Sequence, residues 1–371
     1  MKIPVSEPFV GEKEIENVVD ALKTGWISGL KGKYLDQFES NFSKYCNASH
    51  GIACSSGTAS LQVATRVLNI GPGDEVIVPT FTNIASVLCI YYNGAKPVLV
   101  DVDPNTWCMN LDLVNNLITP KTKAILPVHI YGHPVDMDKV NQLAKENNLF
   151  VIEDCAEGHG AKVRGKTVGG LSDISCFSFY SNKIISTGEG GMLLTSNDEY
   201  ARKAKQYVTL AFSEKNRYNH EYLAYNFRLS NVLAAIGVAQ LEQIDNFVDK
   251  KRWIANEYNK RLKDLDGIQI PTEKEWAKNV YWMYGIVLNE KFPLKRDELM
   301  EFLSSNGVDS RSFFVPMHNQ TVFHNKGLFI NEKHPESERI SKNGLYLPCS
   351  NKVTEDQIEY ICNIIKKTYE N

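Results

Sequence analysis

Residues 50–79, HGIACSSGTASLQVATRVLNIGPGDEVIVP, contain the pattern that decides the fold class. HGIACSS predicts a strand, GTASLQVATRVLNI predicts a helix because its apolar residues recur at helical spacing, and DEVIVP predicts a second strand. The alternation continues through the strand-like segments KPVLVDVD, KAILPVHIYG and LFVIEDCA, which are separated by helical segments. Repeated strand–helix–strand units predict an α/β fold with a mainly parallel sheet that is covered by helices on both faces.

The alternation ends after about residue 160, and the later pattern predicts a second, smaller domain. ISCFSFYS and GGMLLTS are strand-like with no helix between them, and a long helical segment runs from residue 230 to about residue 265. VYWMYGIVL, RDELMEFLSSNG, VDSRSFFV and TEDQIEYICNIIKKTY then follow in the order strand, helix, strand, helix. We therefore expect a large α/β domain over residues 1–249 and a small α+β domain over residues 250–371.

Composition and charge argue against several classes of function. The 371 residues carry 41 lysines and arginines against 44 acidic residues, so we expect no nucleic-acid partner. The eight cysteines include no C-x-x-C pair, which argues against a zinc knuckle and favours reduced thiols. His129, His133 and His159 fit no common ligand spacing, so we expect no metal. The sequence has no apolar stretch of membrane-spanning length, and we expect a cytoplasmic protein without a membrane partner.

Three polar segments follow predicted strands, and in open α/β sheets ligands bind beyond the carboxyl ends of the strands. SSGTAS, at 55–60, opens a helix and could hold a phosphate at its N–H groups, although an ordinary serine N-cap explains the string equally well. VIEDCAE ends a strand in Glu153 and Asp154, which point to opposite faces, and a carboxylate there could instead cap a neighbouring helix. Lys183 lies between a strand-like run and the glycine turn GEGG.

These three segments together match the requirements of pyridoxal phosphate (PLP). A helix N-terminus would hold its phosphate, a carboxylate would pair with its protonated ring nitrogen, and a lysine would bond its aldehyde. A lysine that is buried in a pocket has a lowered pKa and can form a Schiff base with a carbonyl. The combination is more specific than any one of its parts.

The stretch VIEDCAEGHGAKVRGKTVGGLSDISCFSFYSNKIISTGEGGMLLTSN, at 151–197, resembles the core motif of the DegT/DnrJ/EryC1/StrS family of sugar aminotransferases. The similarity extends through GTASLQVATRVLNIGPGDEVIVPTFT, PVHIYGHPVDMD, YNFRLSNVLAAIGVAQLEQID and GVDSRSFFVPMH. Within the family, FSFYSNKIISTGEGGM is most similar to the GDP-perosamine synthases, which aminate GDP-4-keto-6-deoxymannose. The resemblance implies the PLP-dependent transferase fold of type I, with a mixed, mainly parallel central sheet and a smaller α+β C-terminal domain.

The resemblance also implies roles for the residues of the predicted rim. Lys183 would bond PLP and move the proton, Asp154 would pair with the ring nitrogen, and Glu157 would lie near the phenolic oxygen. The residues that would hold the phosphate are Gly57, Thr58, Ser178 and, from the partner subunit of a homodimer, Asn226. Arg311 and His318 resemble residues on the substrate side, although a structural role is nearly as consistent with their positions. L-Glutamate would be the amino donor, and a keto-sugar nucleotide would be the acceptor.

Three departures from the family pattern leave the chemistry intact but keep the substrate open. Asn83 stands where the family generally has an aromatic residue that stacks on the cofactor. TGWISGLKGKYL is one residue longer than in the GDP-perosamine synthases, and YVTLAFSEKNRYNHEYLAYN lacks a glycine-flanked string that they carry. Another nucleotide-linked keto sugar or a small keto phosphate is therefore an alternative acceptor.

Functions of two other classes fit the sequence less well. A nicotinamide-dependent oxidoreductase would need G-x-G-x-x-G at an early strand–helix turn, and the sequence contains no such match. A non-catalytic regulator on the same fold would be expected to lack the lysine or to carry a DNA-binding appendage, and neither feature is visible. The predicted rim and the family resemblance together imply a PLP-dependent aminotransferase that acts on a keto-sugar nucleotide in surface polysaccharide biosynthesis.

Overall fold

The computed structural model describes residues 2–212, 216, 218–220 and 222–370. Residues 213–215, 217 and 221, within the stretch that departs from the family pattern, lie outside the described residues. In chain order the helices are α1 (Glu12–Thr24), α2 (Lys33–Tyr45), α3 (Gly57–Val67), α4 (Ala85–Tyr92), α5 (Leu111–Val114), α6 (Met137–Asn147), α7 (Asp198–Val208), α8 (Asn231–Glu242), α9 (Ile244–Leu262), α10 (Arg296–Ser305), α11 (Thr321–His324), α12 (Pro335–Asn343) and α13 (Glu355–Lys367). The strands are β1 (His50–Cys54), β2 (Glu75–Pro79), β3 (Lys96–Val100), β4 (Thr122–Ile125), β5 (Phe150–Asp154), β6 (Lys162–Val163), β7 (Lys166–Thr167), β8 (Ile174–Ser178), β9 (Gly191–Thr195), β10 (Ile268–Gln269), β11 (Ala277–Lys278), β12 (Tyr284–Leu288), β13 (Arg311–Ser312) and β14 (Gly344–Leu347).

The central sheet is mixed and mainly parallel, which confirms the predicted fold class. In the described chain its strand order is β1-β9-β8-β5-β4-β2-β3. The strands from β8 to β3 pair in parallel, whereas β9 runs antiparallel to both β8 and β1. Because β9 is antiparallel to both of its neighbours, β1, β8 and β5 all end at the same edge of the sheet. This edge is where ligands bind in open α/β sheets.

The C-terminal part of the chain has its own antiparallel sheet, in the order β10-β12-β14-β13 within the described residues. The predicted boundary at residues 249 and 250 falls inside the 19-residue helix α9, which leads from one part to the other. Residues near the N-terminus also contact the C-terminal part, since the N–H of Ile3 donates to the carbonyl of Gly307. The division into domains 1–249 and 250–371 stays a prediction.

Long-range hydrogen bonds join the C-terminal part to the edge of the central sheet. The carboxylate of Asp101, which follows β3, accepts hydrogen bonds from the N–H groups of Glu336 and Ser337 at 3.0 and 2.9 Å. These residues form the first turn of α12, where the helix has unpaired N–H groups and a partial positive charge. Asp101 therefore caps a helix that is more than 200 residues away in sequence and fixes the C-terminal part over the sheet edge.

None of the helices in the described part of the chain combines the length and apolar character needed to cross a membrane.

Candidate active site

A cavity of about 300 Å³ lies at the edge where β1, β5 and β8 end. It brings together six of the predicted site residues: Gly57, Thr58, Asp154, Glu157, Ser178 and Lys183. A larger cavity of about 670 Å³, lined by residues that include Glu39 and Arg202, contains none of the predicted site residues. The chemistry of the lining groups, rather than the volume, therefore identifies the smaller cavity as the candidate active site.

The start of α3 forms one wall of this cavity. Ser56 is the N-cap residue, and its hydroxyl oxygen accepts a hydrogen bond from the N–H of Ala59 at 3.1 Å. A Cβ atom added to Gly57 would lie only 2.7 Å from the Cβ of Ser178, so glycine allows the helix to begin directly against the end of β8. The wall thus combines the Ser178 hydroxyl with the first N–H groups of a helix, which is an arrangement that suits a phosphate.

Asp154, the last residue of β5, presents a buried carboxylate to the cavity. Its Oδ2 accepts a hydrogen bond from the Ser86 hydroxyl at 2.8 Å, and its Oδ1 accepts one from the N–H of Ala156 at 3.1 Å. Burial raises the pKa of Asp154, and these hydrogen bonds and the charge of Lys183 oppose that shift. Among the described residues, no cation lies within ion-pair distance of Asp154, so its carboxylate is suited to a protonated nitrogen of a ligand.

The neighbouring carboxylate, Glu153, points away from the cavity, as strand alternation predicted. It accepts hydrogen bonds from His129 Nε2, the Gly169 N–H and the Ser172 hydroxyl at 2.9 to 3.0 Å. His129, Glu153 and Cys155 lie close enough to hold a metal ion. However, His129 Nδ1 also accepts a hydrogen bond from the N–H of Val135, so both ring nitrogens of His129 and both carboxylate oxygens of Glu153 are already engaged. We assign it a structural role beneath the sheet edge.

Lys183 lies in the connection between the antiparallel neighbours β8 and β9. A hydrogen bond of 2.9 Å from its N–H to the carbonyl of Tyr180 holds the turn, and its side chain is only 10% exposed. Burial lowers the pKa of Lys183, whereas the carboxylates of Glu157 and Asp154 oppose that shift. The amine can therefore lose its proton more readily than a surface lysine, which makes it a candidate nucleophile and base.

Glu157 lies beside Lys183 in the lining of the cavity. Its Oε1 lies 3.9 Å from the lysine Nζ, and its Oε2 accepts a hydrogen bond of 2.8 Å from the N–H of Tyr131. Burial raises the pKa of Glu157 to about 7, although the charge of Lys183 acts in the opposite direction. A carboxyl group with this pKa can hold or release a proton near neutral pH.

The cavity also has walls that the sequence did not predict. Trp282, Phe314 and Tyr346 reach it from the C-terminal part of the chain. Asn83, at the position where the family generally has a cofactor-stacking aromatic residue, also lines the cavity. VYWMYGIVL was predicted to be a strand, but β12 begins only at Tyr284, so the buried Trp282 lies in the segment before the strand. The concentration of aromatic residues in that segment was the one signal in the sequence that could have indicated a cavity wall.

Three predicted residues do not line this cavity. Asn226 is exposed and forms a backbone bridge with Thr209, and Arg311 is exposed on β13. His318 is buried, with Nδ1 2.8 Å from the Thr80 hydroxyl and Nε2 3.2 Å from the Glu338 carboxylate. Their roles at the phosphate and the substrate stay predictions.

Comparison with known proteins agrees with this geometry. The model of the DegT/DnrJ/EryC1/StrS aminotransferase family matches residues 8–366. The chain belongs to this family. The relatives include GDP-perosamine synthase of Escherichia coli O157:H7, which is 41% identical over 99% of this chain and 98% of its own. GDP-perosamine synthase of Vibrio cholerae is 39% identical over 99% of both chains.

Solved structures of sugar aminotransferases share the fold of this family member. The PLP form of Spr1654, a putative sugar aminotransferase from Streptococcus pneumoniae, superimposes with a TM-score of 0.92 at 27% identity and covers 100% of this chain and 99% of its own. DesV from S. venezuelae gives a TM-score of 0.91 at 32% identity, with coverage of 96% and 94%. The chain is therefore a PLP-dependent aminotransferase of fold type I. A buried lysine, a helix N-terminus and a buried carboxylate that has no ion pair within the described part of the chain lie at one cavity and fit that cofactor.

Proposed function

We propose that this aminotransferase transfers the amino group of L-glutamate to GDP-4-keto-6-deoxymannose or a closely similar nucleotide-linked keto sugar. The observation that carries the proposal is its full-length similarity, at 39–41% identity, to three GDP-perosamine synthases. A role in surface polysaccharide synthesis is supported by a further relative, the spore coat polysaccharide biosynthesis protein SpsC of Bacillus subtilis, at 30% identity.

The side chains at the cavity have complementary tasks in this proposal. When bound, PLP supplies a carbonyl that takes up the donor's amino group and a ring that withdraws electrons from the adjacent carbon. Asp154 keeps the ring nitrogen protonated, and the start of α3 with Ser178 holds the phosphate. The Lys183 amine accepts the proton from the carbon that bears the donor's amino group, and in the second half of the cycle it gives a proton to the acceptor carbon that receives the amino group. Glu157 controls the charge at Lys183 through their close approach.

We further propose a homodimer in which each subunit contributes to the other's active site. Ile15, Val19 and Leu22 form an apolar stripe on α1 and are 57%, 41% and 55% exposed. Trp26 and Leu30 extend this exposed apolar surface beyond the helix. A continuous surface of this kind favours contact with a second copy. Asn226 is also exposed, as required if it reaches the phosphate in the partner subunit.

The cytoplasm is the location that we propose for this enzyme. The eight cysteines are all free and buried, and unpaired thiols are typical of a reducing compartment.

The absorption spectrum of the purified enzyme tests the proposed donor and acceptor. Glutamate should convert the PLP band to that of pyridoxamine phosphate, and GDP-4-keto-6-deoxymannose should then restore the original band. Keto sugars linked to UDP or dTDP and small keto phosphates are tested in parallel. Restoration by one of these alone would replace the proposed acceptor. A spectrum that glutamate leaves unchanged would contradict the proposed donor.

A further inference from the structure

Trp282 forms a wall of the cavity, and its ring lies directly against the amine of Lys183. The lysine Nζ is 3.8 Å from the centre of the ring, which is as close as the nearest carboxylate oxygen, that of Glu157 at 3.9 Å. Trp282 is only 4% exposed, so the contact is shielded from water. An ammonium group over an indole face is attracted by the ring's electron density, and this attraction is stronger when the pair is desolvated.

The indole is hydrogen-bonded to the same turn that carries Lys183. Its Nε1–H donates a hydrogen bond of 2.8 Å to the carbonyl of Asn182, the residue that precedes Lys183. The face of the ring therefore contacts the side chain of Lys183 while its edge holds the adjacent backbone. A packing residue without a site role would not need both contacts.

The backbone of Trp282 is fixed from the opposite side. Its carbonyl accepts a hydrogen bond of 3.0 Å from the buried amine of Lys251, which also donates to the carbonyl of Cys349 at 2.6 Å. A Cβ atom on Gly132 would lie 2.7 Å from the backbone nitrogen of Trp282, so glycine is required for this close approach. Gly132, at φ +103, also adopts a conformation that disfavours other residues.

The charged groups that face Lys183 are carboxylates of the large part of the chain, and the phenol of Tyr346 lines the same cavity from the C-terminal part. The carboxylates of Glu157 and Asp154 interact with the amine of Lys183 and favour its charged form. His159 is buried nearby, and burial lowers its pKa to about 3. His159 is therefore neutral at physiological pH. Trp282 is the contact to the amine that comes from the C-terminal part.

We propose that Trp282 is a positioning residue that holds the amine of Lys183 whenever this lysine is not bonded to PLP. The inference rests on the proposed role of Lys183 as the residue that bonds PLP. In the free state the ring face stabilises the ammonium form at the cavity wall, and the bond to Asn182 keeps the turn in place. The C-terminal part thereby contributes directly to the protonation and the position of the Lys183 amine.

The test measures the acetylation of individual lysines by acetic anhydride in the cofactor-free protein, as a function of pH, with peptide mass spectrometry. Only the neutral amine reacts, so the midpoint of the pH profile reports the protonation of Lys183 and the plateau reports its accessibility. Trp282→Leu removes the ring, and the midpoint should fall by about one pH unit, a tenfold change in reactivity below the midpoint. Trp282→Phe retains a ring and should give a smaller shift.

A matched control is provided by Lys250 and Trp253, whose Nζ-to-ring distance is 3.7 Å at a more exposed position on α9. Trp253→Leu should leave the profile of Lys183 unchanged. An unchanged Lys183 midpoint in both Trp282 variants, with only a higher plateau, would overturn the proposal because the ring would then act only as a shield.

Added PLP should block acetylation of Lys183 in the wild-type protein. If it does not, the proposed role of Lys183 fails, and this failure is distinguishable from an unchanged midpoint. Circular dichroism establishes that each variant is folded before its profile is measured.

Discussion

The Nζ atom of Lys183 lies 3.9 Å from Oε1 of Glu157, and both side chains are largely removed from water. Burial disfavours the charged form of each group, so it lowers the pKa of Lys183 and raises that of Glu157 to about 7. Their separation places two groups that can exchange a proton side by side in the lining of the cavity.

Replacement of Lys183 by alanine should abolish transamination and leave the fold intact. The amine is both the group that bonds PLP and the base, so activity should fall by at least about a thousandfold. Steady-state kinetics and thermal unfolding measure the two effects. Lys250→Ala, at a surface position beside another tryptophan, is the control and should retain full activity. An active and folded Lys183→Ala protein would contradict the mechanism.

Glu157→Gln should change how stability depends on pH. The folded-state pKa of about 7 lies above the ordinary value of 4.5, so the folded protein holds an extra proton between these values. Stability is therefore lost as the pH rises through this window, and glutamine removes that loss. In the cofactor-free protein, we expect the stability advantage of Glu157→Gln to grow by about 1–3 kcal/mol from pH 4.5 to pH 8.

Urea unfolding at several pH values measures the stability of Glu157→Gln. The exposed Glu199→Gln serves as the control and should show no such gain. If the free energies of unfolding of Glu157→Gln and wild type differ by a constant amount from pH 4.5 to pH 8, the Glu157 carboxyl group does not titrate in that range.

Gly57→Ala should weaken the binding of PLP through its phosphate. The added Cβ would lie 2.7 Å from the Cβ of Ser178, so the start of α3 would have to move away from β8. We expect a loss of stability of about 1–3 kcal/mol and a higher dissociation constant for PLP. Gly71→Ala, where the nearest atom to a Cβ lies at 3.6 Å, is the matched control. Equal affinities in the two variants would argue against a phosphate site at this helix.

Ser86→Ala should shift the acid limb of the activity profile to higher pH. The Ser86 hydroxyl donates a hydrogen bond of 2.8 Å to Asp154, and such a bond favours the ionised carboxylate. Its loss raises the pKa of Asp154 further, so a larger fraction of the protein carries a neutral Asp154 at mildly acidic pH. Thr82→Val removes only the Thr82 hydroxyl, which lies 2.9 Å from the Ser86 hydroxyl oxygen, and should cause a smaller shift of the acid limb. A profile of kcat/KM against pH that is identical in all three proteins would exclude this role.

Mixing two inactive variants tests the shared active site. In a hybrid of Lys183→Ala and Asn226→Ala subunits, one site carries both changes and the other carries neither. Random exchange of subunits should restore about a quarter of the wild-type activity. Activity after denaturation and refolding together measures this recovery, and the two variants refolded separately are the controls. No recovery, with hybrid dimers detected by native mass spectrometry, would place Asn226 outside the partner's site.

Much of the large part of the fold could be predicted because its signals are local. The alternation of strand and helix in residues 50–154 indicated a parallel sheet, and the central sheet confirms it. Asp154, Gly57 and Lys183 were expected at one edge because the carboxyl ends of β1, β5 and β8 share that edge. The cavity does bring these residues together.

The contacts made by the C-terminal part could not be predicted in this way. The sequence predicted a strand around Trp282 and left His318 between a substrate-side and a structural role, but neither inference identifies the neighbours of these residues. Trp282 packs on Lys183, which lies about a hundred residues earlier, whereas His318 bonds to Thr80, 238 residues away in sequence. Such contacts depend on how the two sheets are placed, and helices such as α12 determine that placement.

The sequence by itself determined the order of strands and helices, the family and the reactive groups at the strand ends, because these properties follow from local patterns and residue types. Only the tertiary structure decided that Glu153 bonds to His129 beneath the cavity that Asp154 faces. It also decided the shifted acidities of Lys183 and Glu157, since these arise when folding removes both groups from water and brings them together.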